Sequence, residues 1–201
     1  MLVPRVSCAT GKQSLPSLSH RNWVEADGVD VSFNIEHRGS SILLRYIVRE
    51  PQVRAVNTGF NSAVWEDSCV EFFLALDGDP NYYNFEFSAI GTVLGGYGPD
   101  RNKRQQLPEI LLEQVQTMPS LGKEIIENLD GDIQWELDIV IPVSVLIHHD
   151  FEDLAGMKAR ANFYKCGDGL IKPHFLSWKP VATDKPDFHR PDFFGDLEFA
   201  P

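Results

Sequence analysis

The stretch SCVEFFLALDGDPNYYNFEFSAIG, residues 68–91, decides the fold. Two runs of alternating residues flank DGDPN (77–81), a cluster of turn formers, so the stretch reads as a β-hairpin. On the first run Val70, Phe72, Leu74 and Leu76 share one face, as a half-buried strand requires, and Cys69, Glu71 and Phe73 share the other. On the second run Phe85, Phe87 and Ala89 point inward, leaving Asn84, Glu86 and Ser88 outward. Folding across the turn places Glu71 nearly opposite Glu86, to within one or two residues of register. Like charges so placed cost a sheet about a few tenths of a kcal/mol. A ligand rich in hydroxyl donors, or a cation, would account for the pair. An ordinary solvated outer sheet face would carry the same residues.

Similar segments continue along the chain. VSFNIEH (31–37) and SILLRYIVRE (41–50) flank an RGS turn and form a second hairpin. DIQWELDIVIP (132–142) alternates cleanly, and Pro142 opens a single helical turn at VSVLI. EILLEQVQTM (109–118) fits either a strand or a helix. KARANFYKC (158–166), HFLSW (174–178) and FGDLEF (194–199) complete the set. Many short strands between Gly/Pro-rich turns predict an all-β fold, a β-sandwich of two antiparallel sheets with one or two short helical turns. Residues 1–22 read as an N-terminal arm laid on a single domain of residues 23–201.

A chain of 201 residues can bury a full core without metals or disulfides. Its 18 basic against 29 acidic residues give a net charge of −11. That field repels phosphate backbones and anionic membranes, so neither nucleic acid nor membrane is expected as a partner. Cys8, Cys69 and Cys166 show no framework spacing, no CxxC or HExxH occurs, and His148 and His149 lack a third ligand at a metal-binding spacing. The start has no signal-peptide apolar run, and no stretch of about 18 apolar residues occurs anywhere. As written, the chain is expected to be soluble and cytoplasmic with reduced thiols. Removal of a leader would place it outside the cytoplasm.

The strand ARANFYKC is built like the first hairpin. Ala159, Ala161 and Phe163 point one way, and Arg160, Asn162, Tyr164 and Cys166 the other. A row of Arg, Asn and Tyr offers donors, acceptors and a flat ring at two-residue spacing, the mixture that sugars require. It is also what an ordinary polar strand carries. Among the tryptophans, Trp135 is in phase with Ile133, Leu137, Ile139 and Ile141 and belongs to the core. Trp23 is read as an anchor for the arm, Trp178 stands at a strand end, and Trp65 projects from the loop before its strand.

Catalytic readings are less well supported. Two carboxylates about 5 Å apart would suit a retaining glycosidase, with Glu71 and Glu86 as the pair. Cys69 or Cys166 with His174 or His189 could form a nucleophile pair, but no local signature accompanies either. GGYG (95–98) lacks the glycine spacing of a nucleotide-binding loop, and RNKR (101–104) reads as a solvated loop.

Six blocks, VWEDSCVEFFLALDG, YYNFEFSAIGTVLGGY, DIQWELDIVIPVSVL, ANFYKCGD, FLSW and FHRPDFFGDLEF, follow in an order that resembles carbohydrate-binding module family 9 and its stand-alone relatives. The resemblance runs from about residue 23 to the C-terminus and implies a two-sheet β-sandwich that binds carbohydrate without catalysing its cleavage. In xylanase-attached members two aromatic rings clamp the terminal sugar. The matching positions are Trp65 and Phe188, the latter followed by His189, and Glu71 matches a carboxylate that binds sugar hydroxyls. Basic and amide residues of the family fall here at Glu86 and Ser88, and an amide becomes Tyr164, two departures that bear on which sugar is bound. The resemblance thus implies a mono- or oligosaccharide ligand held by Trp65, Glu71, Asn84, Glu86, Arg160, Asn162, Tyr164, Phe188 and His189. It also implies a glycan-degrading enzyme as a possible partner. No cofactor is expected, although family members often bind structural calcium. Asp77, Asp79 and Asn81 of DGDPN are the candidates here, and a tight turn explains them equally well. A sandwich serving only as a protein-interaction module would instead show a broad apolar patch.

Overall fold

The alternation in residues 68–91 is realised as two paired strands, and eleven further strands assemble around them. The computed structural model describes residues 1–5 and 15–201; Cys8 lies outside the described residues. In chain order the strands are β1 (Leu2–Val3), β2 (His20–Arg21), β3 (Asp30–His37), β4 (Ser41–Ala55), β5 (Cys69–Leu76), β6 (Tyr82–Ser88) and β7 (Val93–Gly98). Then follow β8 (Gln105–Gln106), β9 (Gln116–Pro119), β10 (Ile126–Pro142), β11 (Lys158–Cys166), β12 (Phe175–Ser177) and β13 (Gly195–Phe199). They form a β-sandwich. One sheet has nine strands in the order β1-β13-β11-β5-β6-β7-β8, with β12 paired to β11 and β2 to β12; the other has four, β3-β4-β10-β9. Among the described residues every ladder between these strands is antiparallel except the two-residue β1–β13 ladder, which is parallel.

The segment EILLEQVQTM is neither wholly strand nor wholly helix. Pro108 precedes a four-residue helical turn, α1 (Glu109–Leu112), residues 113–115 form a turn, and edge strand β9 begins at Gln116. Single 3₁₀ turns occur at Val64–Glu66, Val143–Val145 and Pro191–Phe193, so the described residues hold four short helical pieces. No helix among the described residues is long and apolar enough to cross a membrane. The N-terminal residues do more than lie on the domain, because β1 extends the large sheet beside β13 and β2 pairs with β12.

Between the sheets lies the core expected from the alternation. Phe33 stacks on Phe163 at 4.1 Å, Phe163 on Phe72 at 5.1 Å, and Trp135 is buried beside Leu137 and Ile139. Not every inward residue is apolar. Lys165 is two positions beyond Phe163, so it enters the sandwich, where its side chain is wholly buried. Its ammonium lies 2.9 Å from Glu50 Oε2, donates to the Cys166 carbonyl at 2.8 Å, and lies 2.7 Å from His174 Nε2. The other Glu50 oxygen accepts from Trp135 Nε1 at 2.7 Å. Burial, and then the Lys165 charge, push His174 down to about 3, so its ring is neutral and accepts the lysine proton. The ammonium thus has two hydrogen-bond acceptors and a carboxylate counter-charge at 2.9 Å, the pairing under which a buried charge is tolerated.

The outer face of the large sheet departs from the sequence reading. It is not a solvated polar face, since β5 and β6 are buried along their whole length. A second apolar layer covers it, with Phe73, Tyr82 and Tyr164 from the sheet meeting Val181, Phe188 and Phe194 from the segment before β13. The physical reason is the number of outward rings on these strands: left bare, they would form an apolar patch, and the C-terminal segment folds over them.

Candidate functional site

At one end of this second layer the cover stops and a cavity of about 270 Å³ opens onto the sheet. The β5–β6 register sets Glu71 directly against Glu86, and both carboxyls form its floor together with Cys166 from β11. Trp65, Trp23, Phe175 and Phe188 supply aromatic walls. The rim is charged: Arg101, Arg104, Asp168 and Asp187 stand around it beside Asn102 and His189.

The two carboxyls are all but removed from water, at 3% and 2% exposure for Glu71 and Glu86. Burial, and then the Glu86 charge, hold Glu71 well above the usual carboxyl range. Burial pushes Glu86 up to about 7, opposed by the Arg104 guanidinium at 3.7 Å and by the Asn84 amide, which donates to Glu86 Oε1 at 3.1 Å. Glu86 Oε2 has no hydrogen-bond partner. With burial raising both carboxyls, the floor is biased toward the protonated form and can offer an O–H donor beside acceptor oxygens, one of them awaiting a partner.

Each wall residue has a local reason for its position. Trp65 lies in the 3₁₀ turn entering β5, and its carbonyl accepts from Asp168 N at 3.0 Å, pinning the turn to the end of β11 while the ring stays half-buried. Phe188 rests on Tyr164 at 4.1 Å with the rings 15° apart, and its carbonyl accepts from the Tyr164 hydroxyl at 3.2 Å. Trp23 adopts a positive φ of 65°, donates Nε1 to the Thr183 carbonyl at 2.6 Å, and packs 5.6 Å from Phe188. Such a backbone is costly for a bulky residue and is held only where the surroundings over-determine it.

Of the residues singled out from the sequence, Trp65, Glu71, Glu86, Phe188 and His189 line the cavity. Asn84 sits buried behind Glu86 and orients it. Arg160, Asn162 and Tyr164 do not line it, because the segment 178–194 crosses over β11 and occupies them. Asn162 accepts from Lys179 N at 2.9 Å and donates to its carbonyl at 3.1 Å. Tyr164 supports Phe188 from beneath, and Arg160 donates outside the cavity to the Pro191 carbonyl at 3.1 Å. Only Cys166, further along the strand, emerges from under the cover.

Sequence reasoning missed Arg104, which is no solvated loop residue. Its guanidinium reaches over Glu86 and meets both ring nitrogens of His189, which burial and then the Arg104 charge hold well below the usual histidine range. The signal lay in GGYG. A Cβ on Gly98 would stand 2.4 Å from the Arg104 Cα, so glycine there lets the loop fold back onto β7 and deliver Arg104 to the rim.

The DGDPN turn does not fit a calcium ion. Asp79 Oδ2 accepts from Tyr97 Oη at 2.6 Å and lies 2.9 Å from His149 Nε2, and Oδ1 accepts from Asn81 N at 2.8 Å. One oxygen is thus committed within the turn and the other to Tyr97 and His149 outside it, and Asp77 is exposed.

Comparison with known proteins places this geometry. A Bacteroides uniformis protein to which carbohydrate binding is ascribed superposes with a TM-score of 0.90 at 40% identity, over 99% of this chain and 98% of that one. A family 9 carbohydrate-binding module from Caldicellulosiruptor kristjanssonii, solved with glucose, superposes at 0.58 with 11% identity over 99% of this chain and 94% of its own. Its complex with cellotriose gives 0.60 at 10% identity, over 100% and 93%. At those identities the likeness speaks to the fold alone. A comparison with curated proteins finds no match. The carbohydrate-binding family 9 profile matches residues 9–199, and the chain belongs to that family.

Proposed function

We propose that this protein binds the end of a mono- or oligosaccharide in the cavity over Glu71 and Glu86, without cleaving it. The observation that carries this reading is the combination in one cavity of aromatic walls with a two-carboxyl floor bearing an unpartnered oxygen. Aromatic rings stack on the C–H faces of a pyranose, and the carboxyls pair with its hydroxyls. The volume is just below the low end of ordinary ligand pockets, about 300 Å³, which suits one or two sugar rings and not a long chain. Glucose and cellotriose, the sugars seen in the Caldicellulosiruptor complexes, are the first ligands to try. Binding should be modest, because so small a ligand buries little area. Calorimetric titration with these sugars and a wider glycan set tests the reading; no binding to any of them at millimolar concentration would remove it.

Cleavage by Glu71 and Glu86 is the weaker reading. A retaining glycosidase needs its acid and its nucleophile to flank a scissile bond, whereas Glu71 and Glu86 both lie buried in the floor of a cavity that suits one or two rings and not a chain running across it. The protein would then act beside a separate glycan-degrading enzyme, in carbohydrate catabolism. Release of reducing ends from oligosaccharides, lost in Glu86→Gln, would favour catalysis instead.

Two further outcomes are expected. Arg160→Ala should leave sugar affinity within about twofold, since an exposed side chain bonded to the Pro191 carbonyl contributes only modestly. The same titrations check this.

The second concerns pH. An unfolded glutamate titrates near 4.5 and native Glu86 near 7, so between those values the native state keeps a proton that the unfolded state has released. Stability contributed by this carboxyl is therefore present below about pH 4.5 and lost as pH rises through about 7, by roughly 3 kcal/mol. Glu86→Gln, which still accepts from Asn84, should gain stability over wild type by about that much between about pH 5 and about pH 8. Urea melts with a chelator present measure the difference; a constant offset would contradict it.

A further inference from the structure

Cys69 and Cys166 are direct cross-strand partners in the β5–β11 ladder, and Glu71 lies two residues beyond Cys69 on the same face. Their ligand atoms all lie within 4.8 Å of one another, and Cys166 Sγ is 3.0 Å from Glu71 Oε1. Among the described residues this is the single grouping of three metal-ligating side chains with such spacing. We propose that Cys69, Cys166 and Glu71 form a binding site for a thiophilic divalent cation of the Zn²⁺ class, with its fourth coordination position open to the cavity.

The donor set selects the class. Two sulfurs and one carboxylate oxygen suit zinc and similar cations, whereas calcium and magnesium take oxygen ligands. Three protein ligands on two rigid central strands, with a fourth position facing a cavity, match the open arrangement of exchangeable zinc sites. Cys166 and Glu71 line the cavity while Cys69 lies beneath them, so a cation has an entry path and a closed floor.

A second observation points the same way. Glu86 Oε2 is buried, has no partner, and belongs to the same cavity floor, opposite Glu71. An unsatisfied carboxyl oxygen in that position would accept a hydrogen bond from water or hydroxyl on the cation. As the cation enters, the protons of both thiols and any proton on the Glu71 carboxyl are released to solvent, and two thiolates with one carboxylate leave a local charge of −1. The guanidiniums of Arg101 and Arg104 at the rim offset it. The inference does not depend on what sugar, if any, the cavity holds.

The test uses the full chain, reduced and stripped with a chelator that is then removed, titrated with Co²⁺ as a spectroscopic probe. The expected result is a near-ultraviolet thiolate-to-cobalt band saturating at one cobalt per chain and displaced by Zn²⁺. Loss of an outer partner alone weakens metal sites about 10- to 100-fold, so Cys69→Ser and Cys166→Ser should each weaken binding by more than about 100-fold. Glu71→Gln keeps both thiols and should retain a weaker band. If a cysteine variant fails to fold, alkylation of wild type decides the matter: Zn²⁺ should protect Cys69 and Cys166, as mapped by peptide mass. Absence of the band in reduced wild type, a band surviving both cysteine substitutions, or unprotected thiols would overturn the proposal. Sugar titrations in chelator run alongside and report separately on the carbohydrate reading.

Discussion

Trp65→Ala should abolish measurable sugar binding and leave the fold standing. Truncating an aromatic anchor in a ligand site costs about 2–4 kcal/mol, or about 30- to 1,000-fold in affinity. For a small sugar bound modestly, that loss moves the affinity beyond calorimetric reach. Stability should fall far less, because the ring is half-buried in a 3₁₀ turn whose tie to β11 is made by its backbone carbonyl, which alanine retains. We expect a loss of about 1–2 kcal/mol, against about 3–5 kcal/mol for a core tryptophan such as Trp135. Thermal melts of Trp65→Ala and Trp135→Ala, with and without sugar, make the comparison. A large drop in melting temperature for Trp65→Ala would identify it as a packing residue.

The largest stability effect should come from the ion pair inside the sandwich. Glu50→Ala leaves the Lys165 ammonium wholly buried without its counter-ion and leaves Trp135 Nε1 without an acceptor. Breaking such a pair from one side costs about 3–5 kcal/mol, mostly because an uncompensated charge remains out of water. Lys165→Met should cost a similar amount by stranding Glu50. The double variant Glu50→Gln with Lys165→Met removes both charges, keeps an acceptor for Trp135, and should be more stable than either single charge-stranding variant. Denaturant melts of wild type, Glu50→Gln, Lys165→Met and the double variant close the cycle and measure the coupling directly. Additive losses would show that the two charges do not interact as the 2.9 Å separation requires.

The alternation of Val70, Phe72, Leu74 and Leu76 against Phe85 and Phe87 made the hairpin legible, and with it the opposition of Glu71 and Glu86. Period-two patterning reports which face a residue occupies, and faces are local. It does not report what covers a face. The segment 178–194 has no alternation of its own, so nothing in the pattern said that it would cross β11 and withdraw Asn162 and Tyr164 from the cavity. Lys165 was hidden for a related reason. Its inward position follows from Phe163, but its tolerance depends on His174 across the following loop and on Glu50 from a distant part of the chain. Arg104 reached the rim through a close backbone approach at Gly98, which glycine permits without announcing.

A sugar between the aromatic walls above Glu71 and Glu86 would lie against two of the protein's tryptophans and away from the others. The chain has four tryptophans, and their environments separate cleanly. Trp65 and Trp23 line the cavity, Trp135 is buried against Glu50 between the sheets, and Trp178 packs on Phe33 and Phe163. In an ¹⁵N-correlated NMR spectrum each indole N–H gives one resonance, assignable by single Trp→Phe substitutions. Addition of glucose or cellotriose should shift the Trp65 resonance most and Trp23 next, leaving Trp135 and Trp178 in place. Saturating sugar that leaves Trp65 and Trp23 unmoved, or that shifts Trp178 in their stead, would contradict the account.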